Sequence, residues 1–207
     1  MEITIFFDLD RTLFDTDRMY ADICKDLQSD GFSKEEIDEA GRQCNHIGYT
    51  FKRHLRALQI PEKTAKNKTR AYYAALDRGS YTYHDVPVAI KRLSERNLTL
   101  ALLTHGFPRF HQRKFASLGS ELCAKFQLQH YVWKGSSKGG VISHHALTNP
   151  ESRILFVDDL PSNLEAAHGM HPRTKCLHIW RSEEAARPPL PDYCLRIRTL
   201  EWLGALL

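Results

Sequence analysis

Two aspartates near the start of the chain, Asp8 and Asp10, are separated by one residue and follow a short apolar segment. Carboxylates this close raise each other's pKa unless a cation lies between them, and a divalent metal ion would serve that purpose. A third aspartate, Asp159, follows another apolar segment much later in the chain. If all three meet, the ligands are oxygen atoms without a paired histidine or cysteine, and such a set suits Mg²⁺ far better than zinc.

Thr104 ends a further apolar segment, and several lysines follow it in the sequence. Its hydroxyl, the backbone N–H groups after it and a lysine ammonium group are suited to the oxygens of a phosphoryl group. Taken alone, such an aspartate is more often a helix cap or turn residue, and a lysine is more often on the surface. Together these residues outline a phosphoryl-transfer site.

Five segments have the composition of β-strands. Residues 3–7, 98–103 and 153–157 are largely apolar, which is typical of strands buried on both faces of a parallel sheet. Residues 127–133 and 175–180 are weaker candidates. Each of the three strong segments ends in polar residues, so we expect those residues to lie at one edge of the sheet.

Helical patterns lie between the strands, and a short strand and a helical tail follow them. The helices are expected at residues 86–96, 110–118, 138–147 and 162–168, the last strand at 195–197 and the tail at 200–207. Alternating strands and helices with short connections predict an α/β fold with a doubly wound, Rossmann-like parallel sheet. The ligand site of such a sheet lies outside the carboxyl ends of its strands.

A long stretch after the first strand has helical periodicity and almost no strand signal. Ser33 and Glu36 form a capping-box pattern, Pro61 suits a helix start, and Gly31 and Gly79 suit helix ends. We therefore predict a small all-helical domain at residues 16–83, inserted into a catalytic core made of residues 1–15 and 84–207.

The composition excludes several classes of protein. With 207 residues, of which 42% are hydrophobic and 26% charged, the chain can bury a core without disulfide or metal crosslinks. Its five cysteines are scattered and form no CxxC pair, so neither a disulfide framework nor a zinc site is expected. A net charge of +4 is too small to imply nucleic-acid binding. No segment has the length of a membrane span or a signal peptide, so we expect a cytoplasmic protein.

The order of the polar residues along the chain resembles the four-motif signature of the haloacid dehalogenase superfamily, a large group of Asp-nucleophile phosphatases and their relatives. Asp-x-Asp-x-Thr covers residues 8–12, Thr104 follows an apolar strand, a lysine comes next, and Asp158-Asp159 follows another apolar strand. The likeness extends from Met1 to about Trp180, apart from the insertion.

The resemblance implies a role for each motif residue. Asp8 would attack phosphorus and form an aspartyl-phosphate. Asp10 would protonate the leaving alkoxide and then activate water, while its backbone carbonyl binds the metal. Thr12 would help to hold the loop at the phosphate, and Thr104 and His105 would bind phosphoryl oxygens.

The lysine of the third motif has two candidates, Lys138 and Lys134. We favour Lys138, because it follows two serines at the start of a predicted helix, whereas Lys134 lies closer to the preceding strand. In the last motif the resemblance assigns Asp159 to Mg²⁺ together with Asp8. It assigns Asp158 to holding the lysine, and Asn163 to a supporting hydrogen bond.

Departures from the family pattern are few. Arg11 stands where many members have glycine, and His105 where asparagine is common. Dehalogenases of the superfamily lack a carboxylate at the position of Asp10, and sugar phosphomutases usually have valine at that of Thr12. The sequence therefore predicts a Mg²⁺-dependent phosphomonoesterase acting on a small phosphorylated metabolite, such as a nucleotide or a sugar phosphate. The alternatives are a phosphotransferase or phosphomutase, and a regulatory protein that binds phosphate without turnover.

The insertion resembles the helical cap that many family members close over the site. It carries seven basic residues that form either a solvated helix surface or a binding surface for a multiply anionic substrate. They are Lys52, Arg53, Arg56, Lys63, Lys66, Lys68 and Arg70. Four aromatic residues are expected either in its core or stacked on a base. They are Tyr49, Phe51, Tyr72 and Tyr73.

Overall fold

Six parallel strands form one sheet in the computed structural model, which describes residues 2–45, 47–78, 81–133, 135–182 and 189–207. The strands are β1 (Ile3–Phe7), β2 (Leu98–His105), β3 (Leu128–Val132), β4 (Arg153–Asp158), β5 (Lys175–Ile179) and β6 (Cys194–Ile197). Their order is β3-β2-β1-β4-β5-β6, and every neighbouring pair is parallel. The predicted doubly wound α/β fold is confirmed.

The helices occupy most of the remaining described chain. They are α1 (Thr16–Ser29), α2 (Lys34–Asn45), α3 (Phe51–Ala57), α4 (Glu62–Leu76), α5 (Val86–Ser94), α6 (Pro108–Ala116), α7 (Ser120–Cys123), α8 (Lys138–Thr148), α9 (Pro161–Met170) and α10 (Leu203–Leu206). A 3₁₀ turn at Leu200–Trp202 precedes α10. The four-residue helix α7 was not predicted, because it is too short to show a helical period.

The sheet has a hydrophobic core on each face, because successive side chains of a strand point to opposite sides. In β1, Ile5 and Phe7 join the core that contains side chains of α5 and α6. Phe6, between them, joins the core that contains side chains of α8 and α9. This arrangement explains why the strand sequence is apolar without alternation.

Helices α1 to α4 lie between β1 and α5 in the chain, in the segment predicted to be an insertion. The predicted capping box at the start of α2 is confirmed. The Ser33 N–H donates to Glu36 Oε2 at 2.8 Å, and the Glu36 N–H donates to Ser33 Oγ at 3.2 Å. Pro61 immediately precedes α4, as predicted. The chain enters and leaves this segment at neighbouring positions. Phe14, before α1, and Thr82, after α4, form an antiparallel bridge.

Two sequence-based predictions concern residues outside the described part, namely Gly79 as a helix end and Lys134 as the alternative motif lysine. Among the helices that are described, none is long and apolar enough to cross a membrane.

Candidate active site

The loop after β1 places two aspartates at the carboxyl edge of the sheet. The Asp8 N–H donates to the carbonyl of Val157 at 2.9 Å, so Asp8 continues the pairing of β1 with β4. The chain then turns tightly, because the N–H groups of Leu13 and Phe14 both donate to the carbonyl of Leu9, at 3.0 and 2.9 Å. Asp10 lies within this turn, beside the point where the strand order reverses, which is the usual ligand site of a doubly wound sheet.

Lys138 joins two of the carboxylates. Its ammonium group donates to Asp8 Oδ1 at 2.6 Å and to Asp158 Oδ2 at 2.7 Å, and all three residues are buried. Both oxygens of Asp158 have further donors, since Asn163 Nδ2 lies 3.0 and 3.1 Å from them and the Leu160 N–H lies 2.9 Å from Oδ1. Both carboxylate oxygens of Asp158 are therefore already hydrogen-bonded, and one of their donors is the lysine.

Close packing of α8 on α9 sets the position of Lys138, the first residue of α8. Ser137 caps this helix by accepting a hydrogen bond from the Gly140 N–H at 3.0 Å. A Cβ atom at Gly139 would lie 2.8 Å from the Ala166 carbonyl oxygen of α9, so only glycine allows this approach. The helix start that carries the lysine is thereby fixed against the sheet.

Asp8, Asp158 and Asp159 each offer a carboxylate oxygen within 4.8 Å of the others. Burial raises the pKa of Asp8 well above its ordinary value, and although Lys138 opposes this, the other aspartates add to it. Burial, together with Asp158, raises the pKa of Asp159 to about 7. Three carboxylates beside one ammonium group leave an excess of negative charge that a divalent cation would balance.

The donor set fits Mg²⁺, because it consists of oxygen atoms only. Since Lys138, Asn163 and the Leu160 N–H already occupy Asp158, the side chains expected to hold the ion are those of Asp8 and Asp159. A bound Mg²⁺ would supply positive charge at this edge of the sheet and orient an oxygen atom of a substrate there.

Asp10 is held in a different way from Asp8. The ammonium group of Lys114, from α6, contacts Asp10 Oδ1 in an ion pair, and the Thr16 hydroxyl donates to the same oxygen at 2.5 Å. Burial alone would raise the pKa of Asp10, but Lys114 and His111 outweigh it and hold the pKa well below its usual range. Lys114 is itself only 2% exposed, so Asp10 provides the charge that makes its burial possible.

His111 connects Asp10 with the end of β2. Its Nδ1 atom lies 2.9 Å from the Thr104 hydroxyl and 3.6 Å from Asp10 Oδ2. Burial lowers the pKa of His111 to about 4, so the ring is neutral at pH 7. Gly106 makes room for it, because a Cβ atom there would lie 2.0 Å from the His111 Nε2 atom.

Residues 5–132, more than half of the chain, match the family model of the haloacid dehalogenase-like hydrolases. The chain belongs to this family. Among solved structures, a haloacid dehalogenase-like hydrolase from Burkholderia xenovorans is 20% identical, with a TM-score of 0.69 over 99% of this chain and 96% of that one. A haloacid dehalogenase-like (HAD) hydrolase from Bacillus subtilis, in a structure bound to magnesium, is 16% identical. Its TM-score is 0.66 over 100% of this chain and 98% of that one.

The 2-haloacid dehalogenase from Pseudomonas syringae pv. tomato is also 16% identical, with a TM-score of 0.62 over 100% of this chain and 98% of that one. Identities this low show a shared fold only. No curated protein matches the sequence.

Several motif residues of this haloacid dehalogenase-like hydrolase contact protein groups rather than the cavity. Thr12 is fully buried, and its carbonyl accepts a hydrogen bond from Arg181 Nη2 at 2.7 Å. Thr104 is buried against His111, whereas His105 lines a cavity of about 510 Å³ beside Asp10. The phosphate-binding roles expected for the two threonines and His105 stay predictions.

Sequence reasoning missed His111 and Lys114. The sequence offers one sign of their role. In the predicted helix 110–118, His111 and Lys114 are three positions apart, so they lie on the same face of the helix. Phe110 and Phe115 are buried beside them. A charged residue on an otherwise apolar face indicates a buried partner, but the sequence does not identify Asp10 as that partner.

Arg11, at a position where glycine is common in the family, adopts a left-handed backbone conformation with a φ of 54°. Its guanidinium group lies 2.8 Å from Asp17 and 3.9 Å from Asp159. Arg11 therefore places a cation near Asp159, an expected metal ligand of this hydrolase. A glycine at this position would carry no charge.

The cavity of the hydrolase lies between helices α1 and α2 on one side and the loops after β2 and β3 with α6 on the other. Of the seven basic residues at positions 52 to 70, none lines it among the residues that the structure describes. Lys68, for example, pairs with Asp26 at 2.7 Å and with Asp30 at 2.8 Å. The two roles expected for this basic segment, a solvated helix surface and a binding surface for a multiply anionic substrate, stay predictions. Of the four aromatic residues, Tyr49 lines the cavity, whereas Phe51 packs on Tyr72 with 4.6 Å between ring centroids.

Proposed function

We propose that the protein is a Mg²⁺-dependent phosphatase that hydrolyses a small phosphate monoester through an aspartyl-phosphate on Asp8. The observation that carries this proposal is the placement of Asp8. It lies at the carboxyl edge of the central strand, it accepts a hydrogen bond from Lys138, and it lies within 4.8 Å of the carboxylates of Asp158 and Asp159. Asp10 lies two residues further along, beside the cavity.

In the first step a carboxylate oxygen of Asp8 forms a bond to phosphorus, and the bond from phosphorus to the bridging oxygen breaks. The electron pair of that bond stays with the leaving oxygen, which takes a proton from Asp10. In the second step water attacks phosphorus and gives a proton to Asp10. Phosphate and the free Asp8 carboxylate are released.

Asp10 starts this sequence as a carboxylate, because Lys114 and His111 keep its pKa low. Its carboxylate form suits the second step, in which it accepts a proton from water. For the first step it needs a proton, which the monoanion of the phosphate monoester would supply. The proton that Asp10 takes from water in the second step would leave with the phosphate product.

The insertion at residues 16–83 would act as a cap over this site. Tyr20 and Tyr49 from the inserted segment line the same cavity as Asp10 and Lys114. Closure would exclude water during the first step and place the leaving group against the inserted helices.

Hydrolysis of a 2-haloacid is the competing activity, since dehalogenases share the fold. A halide ion leaves without a proton, so an acid–base residue at the position of Asp10 would have nothing to protonate. The carboxylate of Asp10 and its buried partner Lys114 therefore favour the phosphatase.

The test measures phosphate release from an aryl phosphate with Mg²⁺ and with a chelator. We expect Mg²⁺-dependent release, loss of release on chelation, and none in Asp8→Asn, because an amide cannot attack phosphorus. Asp192→Asn, at an exposed aspartate before β6, is the matched control and should stay active. Halide release from a 2-haloacid without phosphate release would instead identify a dehalogenase.

A further inference from the structure

Five aromatic side chains line the cavity beside Asp10. They are Tyr20, Tyr49, Phe107, Phe110 and Trp133. The ring centroids of Tyr49 and Phe110 are 5.8 Å apart, and those of Phe107 and Trp133 are 6.0 Å apart. One pair joins the inserted segment to the core, and the other lies in the loops after β2 and β3. These five side chains form an aromatic wall of the cavity. A leaving group in the cavity would contact aromatic rings on two sides.

The cations that line the cavity are already paired with carboxylates. Arg11 lies 2.8 Å from Asp17, and Arg42 lies 2.8 Å from Glu39. The third, Lys114, is paired with Asp10. Of the side chains that the structure describes here, no Lys or Arg is left for a second anionic group. An uncharged leaving group therefore suits this wall better than one with a second anionic group.

One of the two histidines of the wall is already bound, since His111 Nδ1 lies 2.9 Å from the Thr104 hydroxyl. The side chain of Asn45 is a polar group of the wall that remains available. The side-chain amide of Asn45 lines the cavity and makes no hydrogen bond to any described residue. An amide offers one acceptor and two donors, which suits the polar edge of a heterocycle.

We propose that the leaving group of the substrate carries a flat, uncharged ring, as in a nucleoside monophosphate. This inference rests on the proposed phosphatase function and names its substrate class. The phosphoryl group would lie at Asp8 and the ring among the aromatic side chains, with Trp133 and Phe107 on the core side. Stacking on an aromatic side chain changes the affinity for a base by roughly 5- to 150-fold.

The experiment compares the four common ribonucleoside 5′-monophosphates with ribose 5-phosphate. Both kinds of substrate release the same type of primary alkoxide, so they differ only in the ring. With Mg²⁺ present, we expect kcat/KM to be at least about tenfold higher for one or more of the nucleotides. Equal or higher kcat/KM for ribose 5-phosphate than for all four nucleotides would overturn the inference.

Trp133→Ala tests the aromatic wall directly. It should lower kcat/KM for the preferred nucleotide by about tenfold more than for ribose 5-phosphate. Trp202→Ala is the matched control, because Trp202 is 55% exposed and lies outside the cavity lining, and it should leave both values unchanged. If Trp133→Ala fails to fold, Phe107→Ala makes the same test. Equal losses for both substrates would count against the inference.

A binding titration separates this inference from the proposed function. If neither kind of substrate releases phosphate, the phosphatase proposal fails, and isothermal titration calorimetry still measures the binding of each compound to the wild-type protein and to Trp133→Ala. A nucleotide Kd at least about tenfold below that of ribose 5-phosphate, weakened in Trp133→Ala, supports the ring site. Equal Kd values would overturn it.

Discussion

Asp8 and Asp10 are two residues apart and carry opposite shifts in pKa. Asp8 is buried among other aspartates with Lys138 shared between two of them, so its charged form is disfavoured. Asp10 is paired directly with the ammonium group of Lys114, and this outweighs its burial, so its charged form is favoured. The surroundings, and not the residue type, decide which aspartate is held as a base.

This difference predicts opposite effects of two identical substitutions on stability. Asp10→Asn leaves the buried ammonium group of Lys114 without its carboxylate and should lower the free energy of unfolding by about 3 kcal/mol or more. Asp8→Asn relieves repulsion among the aspartates, while Lys138 keeps Asp158 as a partner, so stability should be unchanged or higher. Urea denaturation of both variants makes the comparison.

The double variant Asp10→Asn/Lys114→Met is the control for this interpretation. It removes both members of the pair, and stability should recover most of what Asp10→Asn loses. Similar losses in Asp8→Asn and Asp10→Asn would show that the two carboxylates are not electrostatically different.

A buried histidine, His54, joins helices α2 and α3. His54 Nε2 lies 2.8 Å from the carbonyl oxygen of Ile37, which can only accept, so Nε2 carries the hydrogen. Nδ1 therefore accepts from the Tyr49 hydroxyl, at 3.0 Å. The same hydroxyl belongs to a residue of the cavity wall, so His54 supports the position of Tyr49.

Acidification should reduce the contribution of His54 to the stability of the folded protein. Burial lowers the pKa of His54 in the folded protein below its ordinary value of 6.5. Its contribution to stability is therefore complete above about pH 6.5 and decreases as the pH falls, because the unfolded chain takes up a proton more readily. One pH unit below that value, the loss from this residue is at most about 1.4 kcal/mol.

Thermal unfolding of the wild type and His54→Gln between pH 7.5 and pH 5.5 measures this effect. The variant should have a lower Tm at pH 7.5 but a smaller further decrease toward pH 5.5. His84→Gln, at an exposed histidine, should keep the wild-type pH dependence. The prediction is wrong if His54→Gln loses as much on acidification as the wild type.

One buried ion pair, between Asp85 and Arg181, connects segments that are far apart in the sequence. Asp85, 1% exposed at the start of α5, accepts hydrogen bonds from Arg181 Nη1 at 2.8 and 2.9 Å. It also accepts from the Thr199 hydroxyl at 2.9 Å and the Leu200 N–H at 2.8 Å. Arg181 in turn donates to the carbonyl of Thr12, in the loop that carries the two aspartates. The C-terminal segment thus supports the candidate site.

Arg181→Met should lower the free energy of unfolding by about 3 to 5 kcal/mol, because it leaves the buried Asp85 carboxylate without its cation. The control is Arg198→Met, at an exposed arginine, which should change stability by no more than about 0.5 kcal/mol. Chemical denaturation measures both, and a loss below about 1 kcal/mol in Arg181→Met would contradict the proposed role of the pair.

The sequence by itself predicts the sheet and the order of the motifs, because these depend on local patterns. The five-residue run of β1 is apolar throughout, as a strand buried on both faces requires, and the capping box of Ser33 and Glu36 lies within four residues. Parallel strands also bring their carboxyl ends to one edge. This rule is enough to expect Asp8 near Asp159.

Only the tertiary structure decides the charged pairs that no motif predicts. Lys114 and Asp10 are 104 residues apart, and Arg181 and Thr12 are 169 apart, so no periodicity or motif connects them. The same holds for the cavity wall, where Tyr49 and Trp133 come from separate segments. Such pairings depend on the packing of helices against the sheet. Burial then sets the strength of each charge interaction, because it removes the water that would otherwise screen it.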